Sequence, residues 1–308
     1  MSTVLITGGT GLIGKAVTKA LLERNHHIII LSRNGGDNQR SVANLSYAKW
    51  NIEEQTIDKD AIAKADYIIH LAGAGVADKR WTKKRKQEIV SSRVKGGELL
   101  VRALKENANN VKAIISSSAI GWYGPDPVIP NPRPFTEDDP ARDDFVGQTC
   151  KKWEQSLEPV NKMNKRLVTL RTGIVLSNDG GALAEFKKPL KFGTAAILGN
   201  GKQIISWIHI DDLVRLYITA IEDENMNGVY NAVSPNPVSN KQLTLQLAKI
   251  SRGKFFIPIY VPSFILKWVM GELSIEVLKS ATVSCDKVHY KGFTFLYPSI
   301  EAALTALK

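Results

Sequence analysis

The sequence contains few of the residues that mark secreted, metal-binding or membrane-spanning chains. Its two cysteines, Cys150 and Cys285, lie far apart, which excludes a disulfide framework and fits a reducing compartment. The five histidines show no metal-ligand spacing, so we predict no metal site. No apolar run is long enough to span a bilayer, and the chain enters its first strand directly, leaving no room for a signal peptide. We therefore expect a cytoplasmic protein with no membrane partner.

Negative charge is also scarce. The 41 Lys and Arg residues outnumber the 30 Asp and Glu residues, and the net charge is +11. Such a balance is found in proteins that bind nucleic acid, membrane surfaces or anionic small ligands. The densest basic run covers residues 79–86, and it is either an electropositive rim for a phosphorylated ligand or a solvated helix start. No nucleic-acid-binding motif accompanies the run, so we expect no nucleic-acid partner.

A strand followed by three glycines opens the chain. Residues 3–7 are apolar and β-branched, glycines then recur at every third position, and an amphipathic helical pattern follows. Gly8 allows a tight turn, Gly11 lets the backbone approach a pyrophosphate, and Gly14 lets the helix pack closely on its strand. The helix N-terminus offers its N–H groups to phosphates. The alternative is a structural turn that binds nothing. The predicted phosphate-binding residues are Gly8, Thr10, Gly11, Leu12, Ile13 and Gly14.

The second strand lacks the acidic residue that an NAD site places on the ribose 2′-hydroxyl. Residues 27–31 form this predicted strand, which ends in Ser32 and Arg33, about 20 residues past the glycines. A guanidinium fork and a hydroxyl suit a 2′-phosphate. We therefore predict NADP(H) in preference to NAD(H); the alternative is that Arg33 is merely solvated.

The next strands are predicted within residues 45–52, at 67–71 and 113–117, and within 167–176, a range that also includes the loop after its strand. Ligands bind at the carboxyl ends of the strands in open α/β folds, and small residues after 67–71 leave room for a cofactor. Asn51 is a candidate for hydrogen bonding to an adenine edge. Besides the turn and the second strand, the predicted cofactor site takes in Asn51, Leu71, Ala72, Gly73, Ser116 and Arg171.

The order of the elements predicts the architecture. Strand and helix alternate in residues 1–176, which is typical of an α/β fold with a doubly wound parallel sheet, a Rossmann-type NAD(P)-binding domain. Residues 177–308 are predicted to form a smaller α+β substrate domain that is mostly helical after 239. We expect the strand and helix around 204–233 to return to the first domain.

The segment 204–210 alternates, so Ile205, Trp207 and His209 are predicted to share one face of a single strand. Asp211 is the predicted cap of the helix that follows. Two further serines precede helical patterns in the C-terminal part. These predicted caps are Ser239 and Ser299.

A long helix is predicted from Thr82 to Asn107, and Arg93 lies in its apolar stripe. A charge in that position needs a partner, which is either a ligand phosphate or carboxylate, or a structural carboxylate. The proline-rich loop 124–140 is too long for a simple connection and is interpreted as a lid or binding loop. A helix is predicted after it, at about residues 144–160.

Several motifs stand far apart in the chain: TGGTGLIG near the start, SSSA followed by YG, and WIHIDD. Together they resemble the extended short-chain dehydrogenase/reductase family, the superfamily of sugar-nucleotide epimerases and dehydratases. HLAGAG, RTGIVLS and GVYNAVSPNPVSN are similar, more narrowly, to its atypical epimerase-like branch. That branch carries its own C-terminal domain ending in a G-F-x-F motif, here Gly292 to Phe295. The resemblance spans the whole chain and leaves the substrate open.

The resemblance implies an active site that lacks the usual proton shuttle. Members of the family carry a serine and a Tyr-x-x-x-Lys pair. Ser118 matches the serine, but the window DDFVGQTCKKWE contains no tyrosine. Aligning Glu154 with the acid that usually follows puts Val146 at the tyrosine and Cys150 at the lysine. Arg93 stands where the family usually has an asparagine.

Four residues are the resulting catalytic candidates. Ser118 is expected to orient the substrate oxygen, and Arg93 to bind an anionic group or assist the charge. Cys150 is a candidate proton shuttle if its pKa is lowered; the alternative is a buried structural cysteine. Tyr123 is a candidate for the replacement acid; the alternative is that it packs under the lid. The candidate substrate contacts are Trp207 and His209.

Two functions remain open at this level. The first is an NADP(H)-binding oxidoreductase or nucleotide-sugar epimerase-like protein, which passes hydride between the nicotinamide and a small polar or nucleotide-linked substrate. The second is an NADP(H)-binding sensor or interaction protein with little turnover, which the missing tyrosine and lysine favour. In either case we expect a monomer or a homodimer.

Overall fold

A computed structural model describes residues 1–35 and 42–308 of the chain. Its strands, in chain order, are β1 (Thr3–Thr7), β2 (His27–Ser32), β3 (Leu45–Asn51), β4 (Thr56–Ile57), β5 (Tyr67–His70), β6 (Ala113–Ala119), β7 (Arg166–Thr172), β8 (Ile174–Leu176), β9 (Thr194–Leu198), β10 (Ile204–Ile205), β11 (Trp207–His209), β12 (Gly228–Ala232), β13 (Val238–Ser239) and β14 (Ile257–Val261). Its α-helices are α1 (Leu12–Glu23), α2 (Lys59–Lys64), α3 (Lys83–Glu106), α4 (Phe145–Leu157), α5 (Ala182–Leu190), α6 (Ile210–Glu222), α7 (Asn240–Arg252), α8 (Ser263–Met270), α9 (Leu273–Leu278), α10 (Asp286–Tyr290) and α11 (Ile300–Ala306).

The main sheet has the strand order β12-β7-β6-β5-β1-β2-β3-β4. Its strands run parallel, except that the short β4 pairs with β3 in antiparallel fashion. The chain moves outward from β1 to β2 and β3, and then returns to β5 on the other side of β1. This reversal is the switch point at which ligands bind in doubly wound sheets. The doubly wound α/β fold predicted from the sequence is therefore confirmed.

Both faces of the main sheet are covered, which explains why its strands read as continuous apolar runs. Val4 and Ile6 of β1 belong to a core with α1 and α6, whereas Leu5 between them belongs to a second core with α2 and α3. All three side chains are fully buried. Burial on both faces fixes the register of β1, so the end of this strand is a rigid base for the turn that follows.

The C-terminal part of the chain contributes to both units. β12 pairs with β7 at one end of the main sheet, and α6 packs on the same face as α1. The smaller unit contains a two-stranded parallel sheet of β9 and β14, and its core is formed with α5, α7 and α11. Thus α6 and β12 lie with the main sheet, whereas β11 pairs with β8 outside it and contributes Trp207 to the core of the smaller unit.

Two sequence predictions about segment 204–211 are wrong. The single strand is broken into β10 and β11 at Ser206, because Ser206 Oγ donates to Ala281 O and accepts from Val283 N. The cap of α6 is not Asp211 but His209, whose Nδ1 accepts from the N–H of Asp211 at 3.1 Å. By contrast, the predicted caps Ser239 and Ser299 are confirmed by their hydrogen bonds to the third residue of each helix.

Two other predicted elements differ in extent. Within 167–176 the main strand ends at Thr172, and after Gly173, where an added Cβ would lie 2.7 Å from Ser206 O, the short strand β8 stands in place of the predicted loop. The helix predicted to residue 160 stops as an α-helix at Leu157 and continues as a 3-10 turn. Within residues 1–35 and 42–308, no helix combines the length and the apolar character that crossing a membrane requires.

Candidate cofactor and active site

The glycine turn between β1 and α1 is crowded on its inner side and open on its outer side. Gly8 has φ +71°, and a Cβ there would lie 2.9 Å from Ala72 N. A Cβ on Gly14 would lie 2.3 Å from Gly8 O, so only glycine lets α1 pack on the turn. A Cβ on Gly11 would have a single close contact, at 3.3 Å. The outer side of the turn is therefore accessible to a ligand.

The N-terminus of α1 points into the same region. Gly11 is the N-cap, its backbone is extended, and no side chain caps the helix. The first-turn N–H groups of a helix have no partner within the helix, and together with the helix dipole they favour an anion. Thr10, Leu12 and Ile13 occupy this turn as the sequence predicts.

Thr7 ties the ends of β1 and β5 together. Its Oγ1 accepts from the N–H groups of Leu71 and Ala72, at 3.1 and 3.2 Å, and lies 2.8 Å from His70 Nδ1. Because Thr7 is fully buried, this bonding holds residues 71–73 level with the glycine turn. Ala72 and Gly73 thus face the crevice, while Leu71 packs against the core that contains α1.

A cavity of about 720 Å³ lies across these strand ends. Gly8 and Thr10 line one side, and Ser32 and Arg33 line another. Ser32 Oγ is buried and has no hydrogen-bond partner among the residues that the structure describes. An orphaned hydroxyl beside an exposed guanidinium is an arrangement that a phosphate would satisfy.

The far wall of the cavity contains an arginine that sequence reasoning did not single out. Arg85 is buried, donates from Nη2 to Gly75 O at 2.6 Å, and pairs through Nη1 with Glu88 at 2.8 Å. The hydrogen bond from Arg85 is the main cause of a lowered pKa at Glu88. In the sequence Arg85 is one cation of the run 79–86, and only its burial distinguishes it from its neighbours.

Two residues of the predicted cofactor site have their side chains engaged elsewhere. Asn51 Oδ1 accepts from the N–H groups of Glu53 and Glu54 in a local turn, and Asn51 does not line the cavity. Ser116 is buried, and its Oγ donates to Ser117 O. Neither side chain is directed at the space that the cofactor requires.

A buried carboxylate links the ends of β6 and β7. Ser118 Oγ donates to Glu154 Oε1 at 2.6 Å. Arg171 donates from Nε and Nη2 to the two oxygens of Glu154, at 2.9 and 3.0 Å. The Arg171 side chain is 3% exposed and that of Glu154 is 11% exposed. The sequence analysis used Glu154 only to align the helix. It did not predict that Glu154 accepts hydrogen bonds from both Ser118 and Arg171.

The remaining donors of Arg171 are also engaged by the protein. Nη1 donates to Tyr123 Oη and to Glu137 O, each at 3.1 Å, and the guanidinium stacks 3.6 Å from the ring centroid of Trp122. Burial acts to lower the pKa of Arg171, but the hydrogen bond and charge of Glu154 raise it on balance. Arg171 therefore stabilises the loop after β6, and we leave it out of the proposed cofactor site.

Tyr123 lies beneath the proline-rich loop. Its side chain is fully buried, stacks on Phe135 with ring centroids 5.3 Å apart, and donates from Oη to Asn231 Oδ1 at 2.6 Å. Burial raises the pKa of Tyr123 to about 12. The hydroxyl is thus neutral and held inside the protein, which is the packed arrangement considered as an alternative above.

Cys150 and Val146 occupy one face of α4. A Cβ on Gly121, just after β6, would lie 2.3 Å from Val146 Cγ1 and 3.8 Å from Cys150 Sγ. Cys150 is 3% exposed, and burial raises its pKa to about 12. A neutral thiol is a poor proton shuttle at neutral pH. The geometry therefore favours the structural interpretation of Cys150.

Arg93 has partners, but they are not carboxylates. Nη1 donates to Ala74 O at 2.9 Å and to Ile89 O at 3.0 Å, and the guanidinium lies 5.0 Å from the ring centroid of Trp153. Fully buried His70 lies nearby: burial and then the charge of Arg93 lower its pKa to about 4. Two carbonyls and an aromatic face orient Arg93, and no carboxylate among the described residues forms an ion pair with it.

Trp207 and His209 lie in the interior, beneath the strand ends. Trp207 is fully buried and donates from Nε1 to Asn236 O at 3.0 Å. The ring of His209 is buried against Tyr297, with centroids 3.9 Å apart, and its Nδ1 caps α6. In this arrangement both side chains support the fold around the crevice.

Three features define the class of protein. They are a glycine turn of the phosphate-binding kind at the switch point, a cavity across the strand ends, and a serine at the end of β6. The protein is a doubly wound α/β protein of the dinucleotide-binding type. It belongs to the NAD dependent epimerase/dehydratase family, which residues 4–149 match. Residues 261–307 match a domain of unknown function, DUF1731, in line with the C-terminal domain that the resemblance implied.

Similar proteins cover the whole chain. The epimerase family protein YfhF of Bacillus subtilis is 33% identical over 305 residues, which is 99% of this chain and 97% of that protein. The crystal structure of human epimerase family protein SDR39U1 (isoform 2) with NADPH is similar with a TM-score of 0.85 at 27% identity, covering 99% of this chain and 98% of that one. A nucleoside-diphosphate sugar epimerase from Corynebacterium glutamicum has a TM-score of 0.77 at 30% identity and covers 99% of this chain and 58% of its own. The resemblance to the extended short-chain dehydrogenase/reductase family is confirmed.

Proposed function

We propose that the protein binds NADP(H) across the switch point and exchanges hydride with a small polar or nucleotide-linked substrate, as an oxidoreductase or epimerase-like enzyme. The cavity of about 720 Å³ carries this proposal, because it is bounded by the glycine turn and by Arg33 beside an orphaned Ser32 hydroxyl. The human relative, whose structure contains NADPH, supports the choice of cofactor.

The residues present fit a phosphorylated dinucleotide. The turn from Gly8 to Gly14 and the uncapped N-terminus of α1 would hold the pyrophosphate. Ser32 and Arg33 would hold the 2′-phosphate at the end of β2. Ala72 and Gly73 leave space beside the turn. When bound, the nicotinamide supplies the hydride acceptor or donor.

Two side chains would act on the substrate. Ser118 would orient the reacting oxygen. Arg93 would attract an anionic group, since its guanidinium contacts two carbonyls and an aromatic face and forms no ion pair with a described carboxylate. The substrate would lie between the main sheet and the C-terminal unit. The C. glutamicum relative, a nucleoside-diphosphate sugar epimerase, supports a nucleotide-linked substrate.

A second candidate function is an NADP(H)-binding sensor or interaction protein with little turnover. The buried, hydrogen-bonded hydroxyl of Tyr123 and the neutral thiol of Cys150 favour this second function. Neither group is available as the acid/base that would replace the Tyr-x-x-x-Lys pair. Both functions require the same cofactor site and differ only in the chemistry beside Ser118.

Calorimetric titration with NADPH and NADH tests the cofactor site, and we expect tighter binding of NADPH. NADPH oxidation is then followed by absorbance with a panel of carbonyl compounds and nucleotide sugars, for the parent protein and for Ser118→Ala. Turnover that Ser118→Ala abolishes supports the enzyme. Tight NADPH binding with equal background rates in both proteins selects the sensor. Absence of binding to either nucleotide rejects both functions.

A further inference from the structure

Large apolar side chains cover part of the C-terminal unit. Phe192, Phe255 and Trp268 are 88, 85 and 79% exposed, and Ile257, Phe264 and Val269 are also exposed. Single exposed apolar residues are common, but a group of this size marks a contact site for another molecule. We call this group, with the lysines next to it in sequence, the basic apolar face.

The elements that carry the face adjoin one another. β14 pairs with β9 in parallel, and the N–H of Ile257 donates to Gly193 O at 2.8 Å, which sets the start of β14 beside Phe192. The first four residues of β14 are exposed on both sides of the strand. α8 begins two residues after β14 and presents Phe264 and Trp268 one turn apart.

These elements carry positive charge without negative charge. Residues 186–210 and 225–271 contain no Asp or Glu, but they contain four and five Lys or Arg residues, respectively. The excess of nine nearly equals the net charge of +11 of the whole chain. Lys191, Lys254 and Lys267 each stand next in sequence to one of the three most exposed aromatic residues named above.

The basic run 79–86 borders the same face. Arg80 Nη2 donates to Trp268 O at 3.2 Å, and Lys86 forms an ion pair with Glu272, just after α8. Glu272, the first acidic residue after α8 in the sequence, is thus paired with a lysine. The positive potential of the run therefore adds to that of α8 instead of neutralising it.

We propose that the basic apolar face docks on the surface of a lipid bilayer that contains anionic headgroups. Aromatic and aliphatic side chains enter the boundary between headgroups and acyl chains, while the adjacent lysines contact the lipid phosphates. Lysines near an anionic leaflet gain electrostatic energy in addition to the apolar term. This contact is peripheral and requires no spanning helix.

Charge and apolar character favour a bilayer over other occupants. A second copy of the chain would place one acid-free, positively charged face against another, and like charges oppose that contact. A single-stranded nucleic acid would stack on the aromatic rings, but it offers nothing apolar to Ile257, Phe264 or Val269 together. Among the described residues, Lys188 is the one of these nine basic residues that forms an ion pair, with Glu185.

Cosedimentation with vesicles tests the proposal. We expect the protein to pellet with vesicles of equal phosphatidylglycerol and phosphatidylcholine, and binding to fall steeply with phosphatidylcholine alone or at high salt. Phe264→Ser combined with Trp268→Ser should lower the partition coefficient at least about tenfold. Lys254→Gln combined with Lys267→Gln should lower the partition coefficient about 25-fold, at about fivefold for each lysine.

Matched control variants distinguish binding through the basic apolar face from non-specific adsorption to vesicles. Tyr290→Ser removes an aromatic side chain that is 85% exposed on α10, and Lys105→Gln removes a basic residue at the end of α3; both should bind like the parent. Thermal melting verifies that every variant is folded. The proposal is overturned if the protein stays in the supernatant with anionic vesicles, or if the controls lose binding equally. It is also overturned if the α8 variant instead abolishes dimerisation in sedimentation velocity, or binding to a labelled oligonucleotide, while vesicle binding is unchanged.

Discussion

Ser118 directs its hydroxyl proton at Glu154, at a distance of 2.6 Å between the two oxygens. The serine oxygen keeps its lone pairs and can still accept a hydrogen bond. In the proposed function, a substrate hydroxyl would donate to Ser118 while the bond to Glu154 remains intact. A substrate carbonyl would need the proton that Ser118 gives to Glu154, so the proposal favours binding of the alcohol form of the substrate.

Removing the charge of Glu154 should destabilise the fold. Glu154→Gln leaves Arg171 buried without its carboxylate, and breaking a buried ion pair costs about 3–5 kcal/mol. Urea unfolding at pH 7.5 measures the change. Glu185→Gln is the matched control, because Glu185 pairs with Lys188 on the surface and should matter by less than about 1 kcal/mol. Equal stabilities of the two variants would contradict a structural role for Glu154.

Reversing the charge of Arg33 should change the choice of nucleotide. Arg33→Asp removes a charge-assisted hydrogen bond to the 2′-phosphate, so NADPH should bind more weakly by about 1.5–3 kcal/mol while NADH changes little. Isothermal titration calorimetry with each nucleotide measures the two binding free energies. Arg24→Asp, which alters an exposed arginine at the end of α1, should leave the ratio unchanged. If NADPH and NADH weaken together in Arg33→Asp, Arg33 does not contact the 2′-phosphate.

Acid should destabilise the protein through His70. Its pKa in the folded protein is about 4, below the ordinary histidine value of 6.5, because burial and then the charge of Arg93 disfavour the charged ring. The unfolded chain therefore binds more protons between these values, and stability falls as pH decreases from about 6.5 towards 4. Between pH 7.5 and pH 5 the loss should be about 2 kcal/mol.

The variant His70→Gln tests this assignment through the pH dependence of its stability. It loses the hydrogen bond to Thr7 at every pH, so it should be less stable than the parent. The difference between the two free energies of unfolding should narrow by about 2 kcal/mol from pH 7.5 to pH 5. Urea unfolding at several pH values measures the gap. His289→Gln changes an exposed residue of α10 and should follow the parent throughout. A constant gap for His70→Gln would show that His70 is not the group responsible.

Neither cysteine should react in the folded protein. Burial raises the pKa of Cys150 to about 12 and that of Cys285 to about 11, and the reactive thiolate is scarce at pH 8. We expect labelling by a chromogenic disulfide reagent to be more than about 100-fold slower in buffer than in urea. Rapid labelling of one thiol per folded chain, mapped to Cys150, would revive the thiol as a proton shuttle.

The cofactor half of the site is largely readable from sequence, because it depends on local chemistry. Gly8 and Gly14 are needed by a turn that begins and ends within a few residues, and Arg33 directly follows its strand. The cluster of Ser118, Glu154 and Arg171 could not be read in this way. Its members come from β6, α4 and β7, and their contact depends on how those elements pack. One clue was present: Arg171 is a charge within an apolar strand, and such a charge requires a buried partner.

The fold was predictable where one physical effect dominates. Continuous apolar runs in β1 and β2 and the serine caps of α7 and α11 needed no tertiary information. Residues 204–211 could not be predicted without tertiary information, because Ser206 forms hydrogen bonds with residues 281 and 283, which are distant in sequence. A histidine ring that accepts the cap hydrogen bond of α6 is also a contact that capping preferences do not anticipate.

The place of β12 beside β7 constrains how the protein is made. During synthesis, the ribosome releases β7 well before residues 228–232 exist, so the growing sheet has an unpaired edge for as long as translation of the intervening segment takes. Such an edge is prone to pair with other chains. A nascent chain arrested before residue 228 should therefore be a preferred client of chaperones.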